Sequence, residues 1–461
     1  MSPSHGEIAP LHVVAQPLRR YHRLLAETAK LLERDRIAAG GPWSPPFDLP
    51  DPADARWSEL LQSTPLRFGR IGGYRGHMFD AIDLTGNPGT RTTKSLASMT
   101  MVARAILHAR SSGRPLTIVT PTSGNKGTAL RDAVARAQNS GIPGAELVRI
   151  VMLVPAASAS KLRKCVNDSD PEFSVRNPIA TVDVETGAEL KELAAMATEE
   201  VRMRTAGRRG DHWYSLALDN YRFADAMRAF LEHEVMVTGG LEAPTESRLH
   251  VQSVSSAFGL LGYQLGRDIL DRDLEFADQP LPPASYFLVQ HLGAPDMILH
   301  LRQDSGAAAP EYIHEHEGNG FRQHVDPSFP YVTDDPNEIL DPTFYTRNPP
   351  TAVAMTDLIR RQGGGGIVVS KRECISRFTE IRDLFGNWLP LPEDPHMLRE
   401  WSLLMAACGI LNAIDRDTVR TDRIVVHATG SYWDAILPSY QADRVVRLHD
   451  AGELITLLEL Q

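Results

Sequence analysis

Short apolar runs alternate with amphipathic segments over most of this chain. Runs typical of buried strands lie at 115–120, 147–155, 180–185, 248–254, 284–290 and 422–429. Segments whose apolar residues recur every three or four positions, as on one helix face, lie at 18–40, 94–110, 127–141, 189–206, 223–236 and 259–270. Strands that alternate with helices of this length indicate parallel sheets with crossover connections. The pattern predicts an α/β fold with parallel-rich, twisted sheets and flanking helices.

Two stretches depart from this alternation, and a third continues it. A Pro-rich stretch, "GPWSPPFDLPDP", follows the first helical segment and is typical of an irregular linker. The stretch at about 292–350 is rich in Pro, Asp and His and is too long for a simple connection, so we interpret it as a surface elaboration near a site. The stretch "SASKLRKC" is expected to open a further helix.

Composition excludes several classes of partner. With 42% hydrophobic and 23% charged residues among 461, the chain has an ordinary globular composition. Its net charge of −10 comes without a basic stripe, which argues against a nucleic-acid partner. No apolar run approaches a membrane span and no signal-peptide pattern opens the chain, so we expect a cytoplasmic protein without a membrane partner. Cys165, Cys374 and Cys408 lack metal-ligand spacing, which favours reduced structural thiols.

Two loops carry candidate chemistry. Only seven of the 48 basic residues are lysine, so a primary amine is available at few positions. One of them, Lys94, follows the Gly/Pro-rich turn in "LTGNPGTRTTKS" and opens a helical segment. The stretch "TPTSGNKGTAL" (120–130) lies between a strand and a helix, where backbone N–H groups and short polar side chains can bind an anion.

The stretches "NPGTRTTKS", "TSGNKGTAL" and "ATGSY", in this order, resemble three landmarks of the fold-type II enzymes dependent on pyridoxal 5′-phosphate (PLP). This superfamily includes threonine synthase, cysteine synthase and serine/threonine dehydratase. The resemblance implies a two-domain fold similar to that of the tryptophan synthase β subunit. We expect an N-terminal helical extension at 1–60, a large PLP-binding domain at 61–104 and 213–461, and a smaller inserted α/β domain at 105–212.

The resemblance also implies a role for each landmark. Lys94 would form the Schiff base with the cofactor aldehyde and, once displaced, would move the Cα proton. Asn125 would bond the ring 3-hydroxyl. Thr429 would place a neutral hydroxyl against the pyridine nitrogen, which favours loss of a β or γ leaving group over transamination. The substrate-binding cradle would consist of Thr122, Ser123, Gly124, Asn125 and Lys126.

The implied phosphate site departs from the family pattern. It corresponds to "VQSVSSAFGLLG" (251–262), where the expected cofactor contacts are Ser255, Ser256, Ala257, Phe258 and Gly259. Glycines are usual at the first four of these positions in the family. Ser95 and Leu96 likewise replace the Asp-Arg pair that commonly follows the family lysine. These departures indicate a divergent member, with a role in specialised metabolism.

The resemblance therefore implies a PLP-dependent lyase or synthase of the threonine synthase or cysteine synthase kind. It would carry out β- or γ-elimination or replacement on a small-molecule amino-acid substrate. We expect a homodimer, with the 18–40 helix as a packing or dimer element. The altered phosphate loop supports an alternative, in which the chain is a catalytically silent relative that binds a ligand or acts as a scaffold.

Other features leave alternatives open. The stretch 312–324 contains five possible metal ligands, namely His314, Glu315, His316, Glu317 and His324. Their positions do not match the spacing of a known metal site, so we interpret the stretch as a polar loop and expect no metal. The glycines at 363–366 precede a strand, which favours a flexible turn over a phosphate cradle. Lys126 either points to solvent or holds a second anionic group of the substrate, together with Lys161, Arg163 or Lys164.

Overall fold

A computed structural model gives the structure of this chain. It describes residues 12–461 except 185, 206–209, 239–245, 277, 304–305, 307, 316–319, 342–345, 387 and 441–443. The strands of the described part are β1 (His12–Val14), β2 (Leu66–Tyr74), β3 (His77–Asp83), β4 (Leu116–Pro121), β5 (Val148–Pro155), β6 (Ile179–Val182), β7 (Asp211–Tyr214), β8 (Arg248–Ser253), β9 (Ala284–His291), β10 (Ile313–His314), β11 (Phe321–Arg322), β12 (Val332–Thr333), β13 (Gly364–Val369), β14 (Arg423–Ala428) and β15 (Val446–Leu448).

Helices flank these strands. They are α1 (Pro17–Arg20), α2 (His22–Ala38), α3 (Ser58–Gln62), α4 (Lys94–Ser112), α5 (Asn125–Asn139), α6 (Pro171–Arg176), α7 (Gly187–Thr205), α8 (Leu218–Asp225), α9 (Met227–Val237), α10 (Phe258–Arg272), α11 (Asp296–Leu301), α12 (Ala352–Gln362), α13 (Lys371–Ser376), α14 (Phe378–Phe385), α15 (Ser402–Asp415) and α16 (Ala451–Glu459). No helix of the described residues is both long and apolar enough to cross a membrane.

The strands form two large sheets. The first has the order β1-β2-β3-β14-β8-β9-β13, in which β1, β2 and β3 pair antiparallel and every pairing from β3 to β13 is parallel. The second has the order β15-β6-β5-β4-β7 and is parallel throughout. The predicted α/β class with parallel-rich sheets and flanking helices is therefore confirmed. The predicted domain limits stay a prediction, and β15, from the end of the chain, joins the second sheet.

Hydrophobic burial explains how the helices pack. α15 is apolar around its whole circumference and buried from Ser402 to Ile414, because it packs on the first sheet and also contacts α13 and α14. On the other side, α10 packs closely on α8 and α9. A Cβ added to Gly266 would lie 2.2 Å from the carbonyl oxygen of Ala226, so glycine is required for this approach.

Two local predictions are wrong. The stretch after β5 forms a 3-10 helix at Ala156–Lys161, and the chain is extended at Leu162, so no α-helix opens there. Gly364, Gly365 and Gly366 lie inside β13 and pair with β9, so they do not form a flexible turn. A Cβ on Gly364 would lie 1.9 Å from the carbonyl oxygen of Tyr286, which explains why side chains are absent there.

The topology brings four strand ends together. β3, β14 and β8 are adjacent parallel strands, so their carboxyl ends lie at one edge of the first sheet. The carboxyl end of β4, in the second sheet, leads into the loop before α5. In α/β proteins, ligands bind beside the carboxyl ends of such strands. The loops that follow these four strands supply the walls of the cavity described next.

Candidate active site

A cavity of about 210 Å³ lies between the loops that follow β3, β4, β8 and β14. Every site residue predicted from the sequence lines it except Gly124, which lies between two that do. Residues separated by more than 300 positions thus meet at one site. The lining residues of interest are Lys94, Thr122, Ser123, Asn125, Lys126, Ser255, Ser256, Ala257, Phe258, Gly259 and Thr429.

Lys94 is the first residue of α4 and is half-buried. Its Nζ atom lies 5.2 Å from the centroid of the Tyr221 ring, which also lines the cavity. Burial lowers the pKa of the Lys94 ammonium, while Asp225 raises it, Arg228 lowers it and Glu400 raises it to smaller extents. The net downward shift increases the fraction of unprotonated amine, which is the nucleophilic form.

The loop before α5 is held by the side chain of Thr122. Thr122 Oγ1 accepts hydrogen bonds from the N–H groups of Gly124, at 3.0 Å, and Gly127, at 3.2 Å. Gly124 has φ +131°, a conformation that residues with a side chain rarely adopt. The Thr122 hydroxyl therefore fixes the shape of the loop, and Ser123 brings a second hydroxyl to the cavity wall.

Asn125 is oriented by residues of distant segments. Its Nδ2 donates to Glu400 Oε2 at 2.7 Å, and its Oδ1 accepts from Arg163 Nη2 at 2.9 Å. The Arg163 guanidinium is itself placed 3.9 Å from the centroid of the Tyr432 ring. An amide has two N–H hydrogens on Nδ2, so one remains for a ligand in the cavity.

The start of α10 forms the opposite wall. Ala257 precedes the helix with φ +49°, and its side chain is buried in the hydrophobic core. The Phe258 ring packs against the same core, with its centroid 5.2 Å from that of Tyr221. Both side chains are thereby accommodated by the core. A Cβ on Gly259 would lie 2.7 Å from the side-chain amide of Gln252, so no side chain fits at that position without a shift.

Thr429 lies directly after β14, beside the end of β8. Its Oγ1 accepts a hydrogen bond from Ser253 Oγ at 3.3 Å, which leaves its own hydroxyl hydrogen for another acceptor. Gln252, on β8, lines the same part of the cavity. Its Oε1 atom is buried and has no hydrogen-bond partner among the described residues. A buried polar atom without a partner calls for a ligand or water that satisfies it.

Lys126 does not point to solvent. Its side chain is only 7% exposed, and its Nζ donates to Ser215 Oγ at 3.1 Å. Burial lowers the pKa of this ammonium well below its usual range, and the positive charges of Lys191 and Lys94 lower it further. Of the two alternatives for Lys126, the solvent-facing one is therefore wrong, because Lys126, the second residue of α5, lines the cavity.

Several residues that line the cavity were not predicted from the sequence. They include a carboxylate, Glu400, which also accepts a hydrogen bond from Ser402, and an amine, Lys191. Burial raises the pKa of Glu400, Asp341 adds to the rise, and Lys161 opposes it. No motif marks Glu400, which is 275 positions from Asn125 along the chain. The sequence did carry a signal for Lys191. The chain has only seven lysines, so each of them could have been considered as a candidate for the site.

The possible metal ligands of the 312–324 stretch are only partly described. His316 and Glu317 lie outside the described residues. His314 is on an exposed strand with its ring against Phe321, and the ring of His324 packs near that of Tyr331. Within the described part of the chain, no three His, Cys, Asp or Glu residues are placed to hold a metal ion.

Fold and site together define an α/β protein with a polar, lysine-containing cavity at the carboxyl ends of parallel strands. The chain belongs to a family described as "Family of unknown function (DUF6002)", whose model matches residues 13–460. A comparison with curated proteins finds no match.

Solved structures with similarity to this chain include enzymes that carry PLP. A pyridoxal 5′-phosphate-dependent aspartate racemase is 13% identical, with a TM-score of 0.47, and the match covers 82% of this chain and 94% of that chain. A PLP-bound threonine synthase from Brucella melitensis is 13% identical, with a TM-score of 0.46 and coverage of 83% and 78%. An O-acetylserine-dependent cystathionine β-synthase from Helicobacter pylori is 14% identical, with a TM-score of 0.42 and coverage of 82% and 94%. Likenesses at this level identify neither a reaction nor a substrate for this chain.

Proposed function

We propose that this chain is a PLP-dependent enzyme that eliminates or replaces a β or γ substituent of an amino acid. One observation carries the proposal. A single cavity is lined by the amine of Lys94, the oriented amide of Asn125 and the hydroxyl of Thr429. The Ser255–Gly259 segment, at the start of a 15-residue helix, lines it as well. These are the groups that a cofactor with an aldehyde, a ring oxygen, a ring nitrogen and a phosphate would require.

The residues present fit such a cofactor. The first N–H groups of α10 have no acceptor within the helix, and a helix N-terminus of this length favours a phosphate. The core accommodates the side chains of Ala257 and Phe258, so the departures from glycine in the sequence do not require them to occupy the phosphate position. The unpartnered Oε1 of Gln252 faces the same region and indicates that the wall is built for a polar ligand.

PLP would be held by Lys94, Asn125, Thr429, Ser255 and Ser256, with the backbone at 257–259. When bound, it supplies an aldehyde carbon that combines with amines and a ring that withdraws electron density from the substrate Cα.

The chain's own groups perform the remaining steps. The amine of Lys94, whose pKa burial lowers, takes the proton from the substrate Cα and returns it to the product. Ser123 and the N–H groups of this loop other than those of Gly124 and Gly127, which donate to Thr122, bind the substrate α-carboxylate. The Thr429 hydroxyl hydrogen, which Ser253 leaves available, would be donated to the ring nitrogen, and a neutral donor of this kind would not favour a charged ring. A weaker electron pull at Cα favours expulsion of a β or γ substituent over transamination.

Sodium borohydride treatment tests the cofactor assignment. Purified protein is expected to absorb visible light, to lose this band on reduction and to gain the mass of the reduced cofactor on Lys94. Lys94→Ala should lose the band and reduce turnover by about 10²–10⁴-fold, the contribution of a general acid or base. Lys30→Ala, at an exposed lysine, serves as the control and should keep both.

Each other outcome contradicts part of the proposal. An adduct on Lys126 or Lys191 would assign the cofactor to a different lysine. The absence of any visible band would favour the alternative of a ligand-binding or scaffold protein. Titration with O-acetyl-L-serine and O-acetyl-L-homoserine, followed by assay for pyruvate and 2-oxobutanoate, separates β from γ elimination.

A further inference from the structure

Lys126 occupies an unusual electrostatic position for a buried lysine. Its ammonium donates to a neutral hydroxyl, that of Ser215, and no acidic residue of the described part forms an ion pair with it. Buried ammonium groups ordinarily have a carboxylate partner, because removal from water without one is costly. An unbalanced positive charge in the wall of a cavity indicates that an anion completes the site.

The neighbouring charges increase this imbalance. Lys94 and Lys191 line the same cavity, and both disfavour the charged form of Lys126. Burial also lowers the pKa of Lys191. Three amines around one cavity repel one another, and an anionic ligand would relieve that repulsion. Glu400, a carboxylate in the same wall, is already hydrogen-bonded to Asn125 and Ser402.

The cationic residues that the sequence suggested as neighbours of Lys126 do not share its cavity. Lys161 Nζ forms a buried ion pair with Asp341 Oδ1 at 2.5 Å, and Arg163 donates to Asn125. Lys164 is exposed. Besides Lys94, the amine that shares the cavity with Lys126 is Lys191 of α7, so the cationic pair differs from the one that sequence proximity suggested.

We propose that Lys126, with Lys191 beside it, binds a second anionic group, a carboxylate or a phosphate, on the side chain of the amino-acid substrate. This inference rests on the proposed function, because it assumes that an amino acid occupies the cavity with its α-carboxylate at the Ser123 loop. Lys126 is three residues after Ser123 and lines the same cavity, so a substrate held at Ser123 presents its side chain within reach of this wall.

Isothermal titration calorimetry on the holoenzyme tests the inference with two matched pairs of probes. L-aspartate is compared with L-asparagine for a carboxylate, and O-phospho-L-serine with L-serine for a phosphate. The wild-type protein should prefer at least one anionic probe over its neutral partner. Lys126→Met should weaken that probe by about tenfold or more, the effect of one lost charge-assisted hydrogen bond, and change the neutral probe by less than about twofold.

Three further variants complete the design. Lys126→Arg keeps the charge and should restore most of the preference. Lys191→Met should weaken the same anionic probe and provides a second measurement if Lys126→Met does not fold. Lys164→Met removes an equal charge at an exposed position and should change neither probe.

Equal losses for the anionic and neutral probes would overturn the inference, because Lys126 would then contact the α-carboxylate that all the probes share. The absence of any wild-type preference would overturn it as well. Failure of the proposed function is a different result, namely that borohydride fixes no cofactor on Lys94. In that case the same titrations on the purified protein still decide whether Lys126 binds the side-chain anion.

Discussion

Gly124→Ala should both destabilise the protein and weaken cofactor binding at the candidate site. Gly124 has φ +131°, where a side chain is strained by about 1–3 kcal/mol. Its added Cβ would lie 3.3 Å from Lys161 Cβ and 3.5 Å from the Lys161 carbonyl oxygen. Lys161 cannot easily retreat, because its ammonium is held by Asp341. We therefore expect Gly124→Ala to lower the free energy of unfolding by about 2–3 kcal/mol, near the upper end of this range, unless the loop shifts.

A shift of the loop would displace Asn125 and break the hydrogen bonds that Thr122 Oγ1 accepts. We therefore expect the dissociation constant for PLP to rise by about tenfold or more, equivalent to about 1.4 kcal/mol. Circular dichroism on heating measures stability, and titration of the visible band measures cofactor binding.

Gly113→Ala is the matched control. Gly113 also has a positive φ, +67°, but nothing lies within 4 Å of its added Cβ. Gly113→Ala should therefore lower the free energy of unfolding by about 1 kcal/mol and leave cofactor binding unchanged. If Gly124→Ala has the same unfolding midpoint as Gly113→Ala and binds PLP as the wild type does, the reasoning about this loop is refuted.

Three further variants, at two positions, address the ring contacts. Thr429→Ala should retain PLP but shift its absorbance and slow elimination about fivefold, since one hydrogen bond of about 1 kcal/mol is lost; Thr429→Asp should protonate the ring and favour side reactions. An unchanged spectrum in both would remove Thr429 from the site. Glu400→Gln replaces the charged acceptor of Asn125 with a neutral one, so the dissociation constant for PLP should rise about fivefold, or about 1 kcal/mol. Unchanged binding would show that Glu400 does not orient Asn125.

The sequence by itself determined the local elements of the fold. Strand periodicity and buried runs predicted the central strands, because a strand covered on both faces must be apolar along its length. The glycines of β13 misled the same reasoning, since a strand that approaches its neighbour closely looks like a turn in sequence. The stretch that was expected to open a helix instead forms a 3-10 helix at Ala156–Lys161, and the chain is extended at Leu162.

The sequence also determined which loops line the cavity, since each lies where a strand passes into a helix or ends. Only the tertiary structure decided what those loops contact. Glu400 and Arg163 reach Asn125 from remote segments, and no periodicity records that proximity. The same holds for Lys126. Its position in the first turn of α5 is compatible with solvent or cavity, and the packing of α5 against α4 and β5, with Ser215 as the partner of the ammonium, places it at the cavity. Charge and burial at one point depend on every element packed around it, so sequence alone does not determine them.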